Sequence, residues 1–188
     1  MALAEEFDTV LAAAQTRAEW AISVLYREYH PALLRYLQAQ DRGAGEDLAA
    51  EVWLAVTPRL DSFEGDESGF RAWLFTIARR RLIEHRRRLG RRRTDPVSPD
   101  DLADRAGRHD PESTVVSAIS AQEAIEQLVG ELSPEQAEVV LLRVVAGLDA
   151  AEVGHIIDKS AGAVRVIQHR ALRQLASAFS LPGQVVTP

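Results

Sequence analysis

Residues 70–93, FRAWLFTIARRRLIEHRRRLGRRR, begin with apolar and aromatic side chains and end in a dense cluster of arginines. At about 100° per residue, the spacing predicts one long helix with two unlike sides. The apolar side carries Phe70, Trp73, Leu74, Ile77 and Ala78. The opposite side carries Arg79, Arg80, Arg86 and Arg87. The first half of the helix is therefore expected to pack on a core, while the second half presents a row of guanidinium groups.

Within this segment basic residues far outnumber acidic ones, although the 188-residue chain has a net charge of −6. Residues 79–93 hold nine arginines and one glutamate, a charge of +8. Residues 1–78 carry 6 basic and 13 acidic side chains, and residues 94–131 carry 2 and 9, so each of these segments has a charge of −7. Crowded guanidinium groups repel one another unless a polyanion lies against them, which favours a nucleic-acid phosphate backbone. A solvated charged face is the alternative.

Several classes of protein are excluded by composition. The chain has no cysteine, and its five histidines do not fall at the i, i+4 spacing of metal ligands. We therefore expect no metal and no cofactor. No nucleophile–base pair and no phosphate-binding glycine loop is visible, so an enzyme is not expected. The acidic amino terminus and the absence of a run of eighteen apolar residues predict a cytoplasmic protein without membrane insertion.

Helical periodicity dominates the chain, and no alternating strand pattern is sustained. The predicted fold is all-α, with two small helical domains at residues 1–93 and 117–180. Residues 94–116 are acidic and contain three of the eight prolines, which predicts a flexible linker, and residues 181–188 form a tail. In the first domain we expect helices at about residues 3–20 and at residues 21–40, where Pro31 could kink the helix or start a new one.

The second domain combines short helices with two capping signals, Ser133 with Gln136 and Asp149 with Glu152. Its last two helices flank the turn DKS, residues 158–160, which has the form of a DNA-binding helix-turn-helix. Ser160 is expected to cap the second of these helices. That helix carries the candidate base contacts Arg165, Gln168 and His169 and the candidate phosphate contacts Arg170 and Arg173. An ordinary helical hairpin with solvated arginines explains the spacing equally well.

Two further groups of residues have open interpretations. Phe63, Phe70 and Trp73 lie in and after the loop DSFEGDESG, residues 61–69, and could stack on unpaired bases or belong to the core. Asp47 and Glu51 are like charges at i, i+4, which weakens an isolated helix. With Glu46 they could form a solvated surface, the metal-binding carboxylates of a nuclease, or a docking face for a basic partner.

Four segments in this order resemble the extracytoplasmic-function (ECF) sigma factors, the small two-domain members of the bacterial sigma-70 family. LYREYHPALLRYL is similar to region 2.1 and GEDLAAEVWLAV to region 2.2. FRAWLFTIARRRLIEHRRR is similar to regions 2.3 and 2.4, and the segment from LSPEQ to RALRQL is similar to region 4. The resemblance spans residues 22–93 and 117–178.

The resemblance implies partners and roles that spacing alone does not assign. Asp47, Leu48 and Glu51 would dock on the β′ clamp helices of core RNA polymerase, and the β flap would be a second polymerase contact. The helix-turn-helix residues would bind the minus-thirty-five promoter element. The linker would pass through the RNA-exit path, and an anti-sigma factor would be a further partner. The residues implied at the minus-ten element are Phe63, Phe70, Trp73, Arg79, Arg80, Glu84, Arg86 and Arg87.

The chain departs from the family pattern at several of these positions. Ala50 replaces a frequent glutamine, Arg80 a frequent asparagine, Glu84 a frequent aspartate, and Gln168 a frequent leucine or arginine. The resemblance therefore does not carry over a promoter sequence. Two other functions remain open: a dimeric regulator that binds operators without polymerase, and a module that binds an acidic protein through its arginines.

Overall fold

The computed structural model describes residues 6–94 and 121–179, which we call the amino-terminal and carboxy-terminal units. The helices are α1 (Phe7–Gln15), α2 (Glu19–Gln40), α3 (Gly45–Val56), α4 (Glu67–Thr94), α5 (Ala121–Gly130), α6 (Pro134–Val140), α7 (Ala150–Ile157) and α8 (Ala161–Phe179). The described residues contain no β-strand. The all-α prediction is confirmed.

The first predicted helix, at residues 3–20, is wrong in its extent. Helix α1 ends at Gln15, and Arg17 adopts a left-handed conformation with φ of 64°, so the chain turns before α2 begins at Glu19. Helix α2 then continues through Pro31 without a break. Pro31 is exposed, so the one backbone hydrogen bond that its ring removes lies toward solvent.

The core of the amino-terminal unit forms where α2 and α3 pack on the apolar half of α4. Phe70, Leu74, Ile77 and Ala78 of the predicted apolar side are all buried. Phe75 and Leu82 are buried as well, so the core extends further around α4 and further along it than the sequence predicts.

The predicted loop at residues 61–69 is shorter in the structure. A 3-10 turn (Thr57–Ser62) covers its start, and α4 already begins at Glu67. Asp66 holds this helix start, because its Oδ1 accepts a hydrogen bond from Gly69 N at 2.8 Å. The irregular segment is therefore reduced to residues 63–66.

Both predicted capping boxes are present in the carboxy-terminal unit. Ser133 and Gln136 exchange hydrogen bonds at the start of α6, and Asp149 and Glu152 do so at the start of α7. Helix α6 runs into a π turn (Leu141–Val145) that buries Leu141 and Leu142. These caps satisfy backbone N–H groups that have no partner within the helix.

The helix-turn-helix is built from α7, a tight turn and α8. Asp158 ends α7 in a left-handed conformation with φ of 59°, and Lys159 N donates to Gly154 O at 2.8 Å. Ser160 then caps α8, since its Oγ accepts from Ala163 N at 3.1 Å. The turn at residues 158–160 is therefore as predicted.

The two units pack against each other in this structure, and their buried residues form one hydrophobic cluster. Helix α4 contacts α7, and α2 contacts α5 and the π turn. Apart from Thr94, which ends α4, the predicted linker at residues 94–116 lies outside the described residues, as does the tail at 181–188. The division into domains at residues 93 and 117 stays a prediction.

The helix-turn-helix depends on the absence of a side chain at Gly154. A Cβ atom there would fall well inside van der Waals contact with the carbonyl oxygen of Lys159, which is backbone and cannot rotate away. Gly154→Ala should therefore lower the free energy of unfolding by about 1–3 kcal/mol, measured by thermal or urea unfolding.

Gly162→Ala is the matched control on α8. A Cβ atom there would have Ser160 Oγ at 3.9 Å as its nearest neighbour. The control should leave stability unchanged or raise it by up to about 1 kcal/mol through helix propensity. Equal stability of the two variants would contradict the close packing of the turn.

Candidate nucleic-acid interface

The arginine row lies on the side of α4 that faces away from the core of the amino-terminal unit. Arg80, Arg86 and Arg87 are exposed, and Arg79 is half-buried. Because the apolar side of the same helix is packed in the core, these guanidinium groups project from a rigid support. A straight row of cations on a fixed helix is suited to follow a phosphate backbone.

Local contacts hold part of this row in place. Arg86 Nη2 donates to the backbone oxygen of Gln40 at 3.2 Å and to its Oε1 at 3.0 Å. Glu84, which the family resemblance assigns to the minus-ten element, is exposed and pairs with Arg81 at 3.3 Å. A weak surface pair of this kind leaves the Glu84 carboxylate accessible.

The three aromatic candidates do not share one environment. Phe70 is 0% exposed and its ring packs against Phe7, Tyr29, Phe63 and Trp73 at centroid distances of 5.8, 5.1, 5.4 and 5.8 Å. The prediction that Phe70 contacts DNA bases is corrected by this burial, because the ring has no free face to stack on. Phe63 and Trp73 are only partly buried and lie 5.1 Å apart between ring centroids.

The short loop before α4 fixes the position of Phe63. Its carbonyl oxygen accepts a hydrogen bond from Gln15 Nε2 at 2.8 Å. Gly65 has φ of 149°, a conformation that favours glycine, and its Cα faces the Phe63 ring so closely that a Cβ would lie 3.1 Å from Cζ. The partly exposed Phe63–Trp73 pair is therefore held at the amino-terminal end of the arginine row.

Helix α8 presents the predicted polar stripe to solvent. Arg165, His169 and Arg173 are exposed, as is Arg170. Val164 and Ala171 are buried on the opposite side. The arrangement matches a recognition helix that is anchored by one face and open on the other.

Gln168 has a different environment from the rest of the predicted base-reading set. It is half-buried, and its Oε1 accepts a hydrogen bond from Arg143 Nε at 3.0 Å. Arg143 also donates through Nη1 to the carbonyl oxygen of Leu148. No sequence motif predicts this role of Arg143, although one basic residue in the apolar run LLRVV is a signal that a buried acceptor needs a donor. Base contact by Gln168 stays a prediction.

The amino terminus of α7 adds a fixed negative charge near α8. Asp149 accepts hydrogen bonds from the backbone N–H groups of Glu152 and Ala151 at 2.8 and 2.7 Å. These bonds, the first foremost, hold the pKa of Asp149 below its ordinary value, and the charges of Arg143 and Arg165 act in the same direction. The cap is therefore ionised at neutral pH.

Helix α3 carries the candidate docking residues on two different faces. Asp47 is exposed, and Glu51 is half-buried with Oε1 3.7 Å from Arg88 Nη2. Leu48 is only 1% exposed, so the prediction that it contacts polymerase is corrected: its side chain is part of the core. Leu54 is at i+7 from Asp47 and therefore on the same face of α3. It is 75% exposed, and the sequence patterns did not predict it as a docking residue.

In residues 6–94 and 121–179, no three His, Cys, Asp or Glu side chains converge in a way that could hold a metal ion. No helix within these two ranges has both the length and the apolar character needed to cross a membrane.

Comparison with known proteins identifies both units. The family model for sigma-70 region 2 matches residues 25–92, and the model for sigma-70 region 4 matches residues 128–177. The ECF RNA polymerase sigma factor SigD of Mycobacterium tuberculosis is 32% identical over 95% of this chain and 86% of its own length. The chain belongs to the ECF sigma factors.

This sigma factor has other relatives of the same kind. ShbA of Streptomyces griseus is 34% identical over 80% of this chain and 83% of its own length. BldN of Streptomyces coelicolor is 32% identical over 83% of this chain, which spans 59% of the length of BldN. Membership of this family makes the protein an RNA polymerase sigma factor that acts in transcription initiation.

Two solved structures support the fold of this sigma factor. RpoE in complex with the anti-sigma factor NepR from Bartonella quintana matches with a TM-score of 0.64 at 21% identity, covering 86% of this chain and 98% of that one. CnrH in complex with the cytosolic domain of CnrY matches with a TM-score of 0.62 at 19% identity, covering 93% and 97%.

Proposed function

We propose that this sigma factor uses three separate helical faces: α3 for core RNA polymerase, α4 for the minus-ten promoter element and α8 for the minus-thirty-five element. The observation that carries the proposal is that α4 and α8 each expose arginines on a helix whose other side is buried. Two rigid cationic helices in one acidic chain are suited to two places on one DNA molecule.

At the minus-ten element, the exposed arginines of α4 would follow the phosphates of the strand that becomes single. Phe63 and Trp73 lie where that row begins, and their partly exposed rings can stack on an unpaired base. Opening the duplex then needs binding energy of a few kcal/mol per unstacked base and no side-chain chemistry. The protein would act by binding and not as an enzyme.

At the minus-thirty-five element, α8 would enter the major groove of intact duplex. Arg165 and His169 lie in its amino-terminal half, which is the part of a recognition helix that meets base edges. Arg170 and Arg173 lie farther along and suit phosphates. The domain limits that accompany this proposal are residues 1–93 for region 2 and 117–180 for region 4.

Toward core polymerase, α3 would offer a mixed acidic and apolar face. Asp47 supplies exposed negative charge, and Leu54 supplies an exposed apolar side chain on the same side of the helix. An apolar anchor surrounded by charged groups is typical of a specific protein interface. We place this contact in the cytoplasm, where an anti-sigma factor is a further partner of the kind seen with RpoE of Bartonella quintana.

The function is tested by run-off transcription with bacterial core RNA polymerase, with and without this protein, on fragments of the genome that encodes it. Discrete new transcripts that share a two-part upstream motif are expected. Core polymerase alone is the control. Sequence-specific DNA binding by the protein without any new transcript would instead indicate a regulator that works without polymerase.

Leu54 and Leu48 provide a matched pair on α3. Leu54→Ala should weaken binding to core polymerase by about tenfold, since an exposed apolar anchor at an interface contributes more than about 1 kcal/mol. Its unfolding temperature should not change. Leu48→Ala should lower the free energy of unfolding by about 2–5 kcal/mol, because it opens a cavity in the core. Unchanged polymerase affinity of Leu54→Ala in a pull-down titration would remove this face from the proposal.

Arg165 and Arg87 should have different effects on DNA binding. Arg165→Ala should relax specificity at one duplex position by about 1–3 kcal/mol, as read from sequences selected by the holoenzyme out of a randomised library. Arg87→Ala should weaken binding to all sequences and lower the slope of log K against log salt by about 1. An unaltered sequence preference in Arg165→Ala would refute the placement of α8 in the groove.

A further inference from the structure

The most basic helix of the amino-terminal unit is in contact with carboxylates of the other unit. Arg79, at the start of the α4 arginine row, forms a forked ion pair with Glu138 of α6. Its Nε lies 2.8 Å from Oε1 and its Nη2 lies 3.4 Å from Oε2. The two side chains are only 27% and 18% exposed. A carboxylate in this geometry resembles a phosphate held by the same guanidinium.

Two further polar contacts join the amino-terminal unit to carboxylates of the carboxy-terminal unit. Arg42 pairs with Glu126 of α5 at 3.1 Å. Ser68 donates a hydrogen bond to Glu152 of α7. In both, as in the Arg79 pair, the donor belongs to the amino-terminal unit and the carboxylate to the carboxy-terminal unit.

The Arg79–Glu138 pair is built into the packing and is not a loose surface contact. The ring of Tyr36 lies fully buried at this site. Burial, and then the negative charge of Glu138, raise the pKa of Tyr36, while the positive charge of Arg79 lowers it. Ala78 and Val139, the neighbours of Arg79 and Glu138 along their helices, are both 0% exposed and belong to the hydrophobic cluster that the two units share. Salt therefore screens this pair less than it screens a pair at an open surface.

We propose that the carboxy-terminal unit acts as an intramolecular competitor of promoter DNA, with Glu138 occupying on Arg79 the position of a DNA phosphate. This proposal rests on the assignment of α4 to the minus-ten element. We call the arrangement in this structure, with the two units in contact, closed. In it Arg79 is paired with Glu138, while Arg80 and Arg87 remain exposed for a first encounter with DNA. Full contact along α4 requires the two units to separate, so DNA affinity is reduced by the fraction of molecules that are closed.

The test uses the full chain and compares Glu138→Gln with Glu135→Gln. Both variants remove one negative charge from α6, but Glu135 pairs at 2.9 Å with Lys159 inside its own unit. Binding is measured by fluorescence anisotropy with a labelled single-stranded oligonucleotide of mixed sequence. Glu138→Gln should bind about fivefold more tightly than Glu135→Gln, since it removes a partly buried ion pair from the closed state only.

Separation of the units is measured in the same variants by energy transfer between two dyes. The chain has no native cysteine, so Asp61→Cys and Ala178→Cys provide two exposed attachment sites, one on each unit. Energy transfer should fall in Glu138→Gln, because the two units separate, and should be unchanged in Glu135→Gln. Glu126→Gln is a second variant that loosens the same boundary away from α4, and it should shift both readouts in the same direction as Glu138→Gln by a smaller amount.

The double variant Glu138→Gln with Arg79→Ala tests whether the gain in DNA affinity depends on the Arg79 side chain. The gain in DNA affinity should disappear, because the released guanidinium is then absent. Equal DNA affinities for Glu138→Gln and Glu135→Gln would overturn the competition, while run-off transcripts would still uphold the function of the sigma factor. If no variant binds the oligonucleotide, the competition is overturned whether or not transcripts form. If transcripts are absent as well, the assignment of α4 to DNA is also overturned.

Discussion

The burial of the first half of α4 is the constraint on which the rest of the structure depends. Phe70, Leu74 and Phe75 anchor this helix against α2 and α3. The same helix also contacts α7 of the other unit. The arginine row therefore extends from an element that cannot rotate without disrupting the core, and the helix-turn-helix is placed relative to that element in the closed arrangement.

Much of this fold follows from local patterns in the sequence. The apolar periodicity of residues 70–78 predicts which side of α4 is buried, and the spacing of Ser133 with Gln136 predicts a helix start that the structure contains. Both signals act between residues within one or two helical turns of each other. The family resemblance adds the identity of the two units, since four motifs in a fixed order are far more specific than any one of them.

The errors and omissions have a common physical origin in contacts between residues distant in sequence. Periodicity assigns Phe70 to the apolar side, but only the surrounding rings of Phe7 and Tyr29 show that no face is left for a base. In the same way, helical spacing places Gln168 on the exposed polar side of α8. Only the structure shows that Arg143, 25 residues earlier in the chain, donates a hydrogen bond to its amide oxygen. The partner of Arg79 lies 59 residues away, beyond any local pattern.

Glu152 has two roles that join the stability of one helix to the association of the two units. One of its carboxylate oxygens accepts from the backbone N–H of Asp149 to complete the cap of α7, and the other accepts from Ser68 on α4. Substituting Ser68 removes a donor to one oxygen of this carboxylate, whereas substituting Glu152 removes both bonds at once. The free-energy effects of substitutions at Ser68 and Glu152 are therefore not additive, and a double-mutant cycle between them reports the interaction energy that joins the cap of α7 to α4.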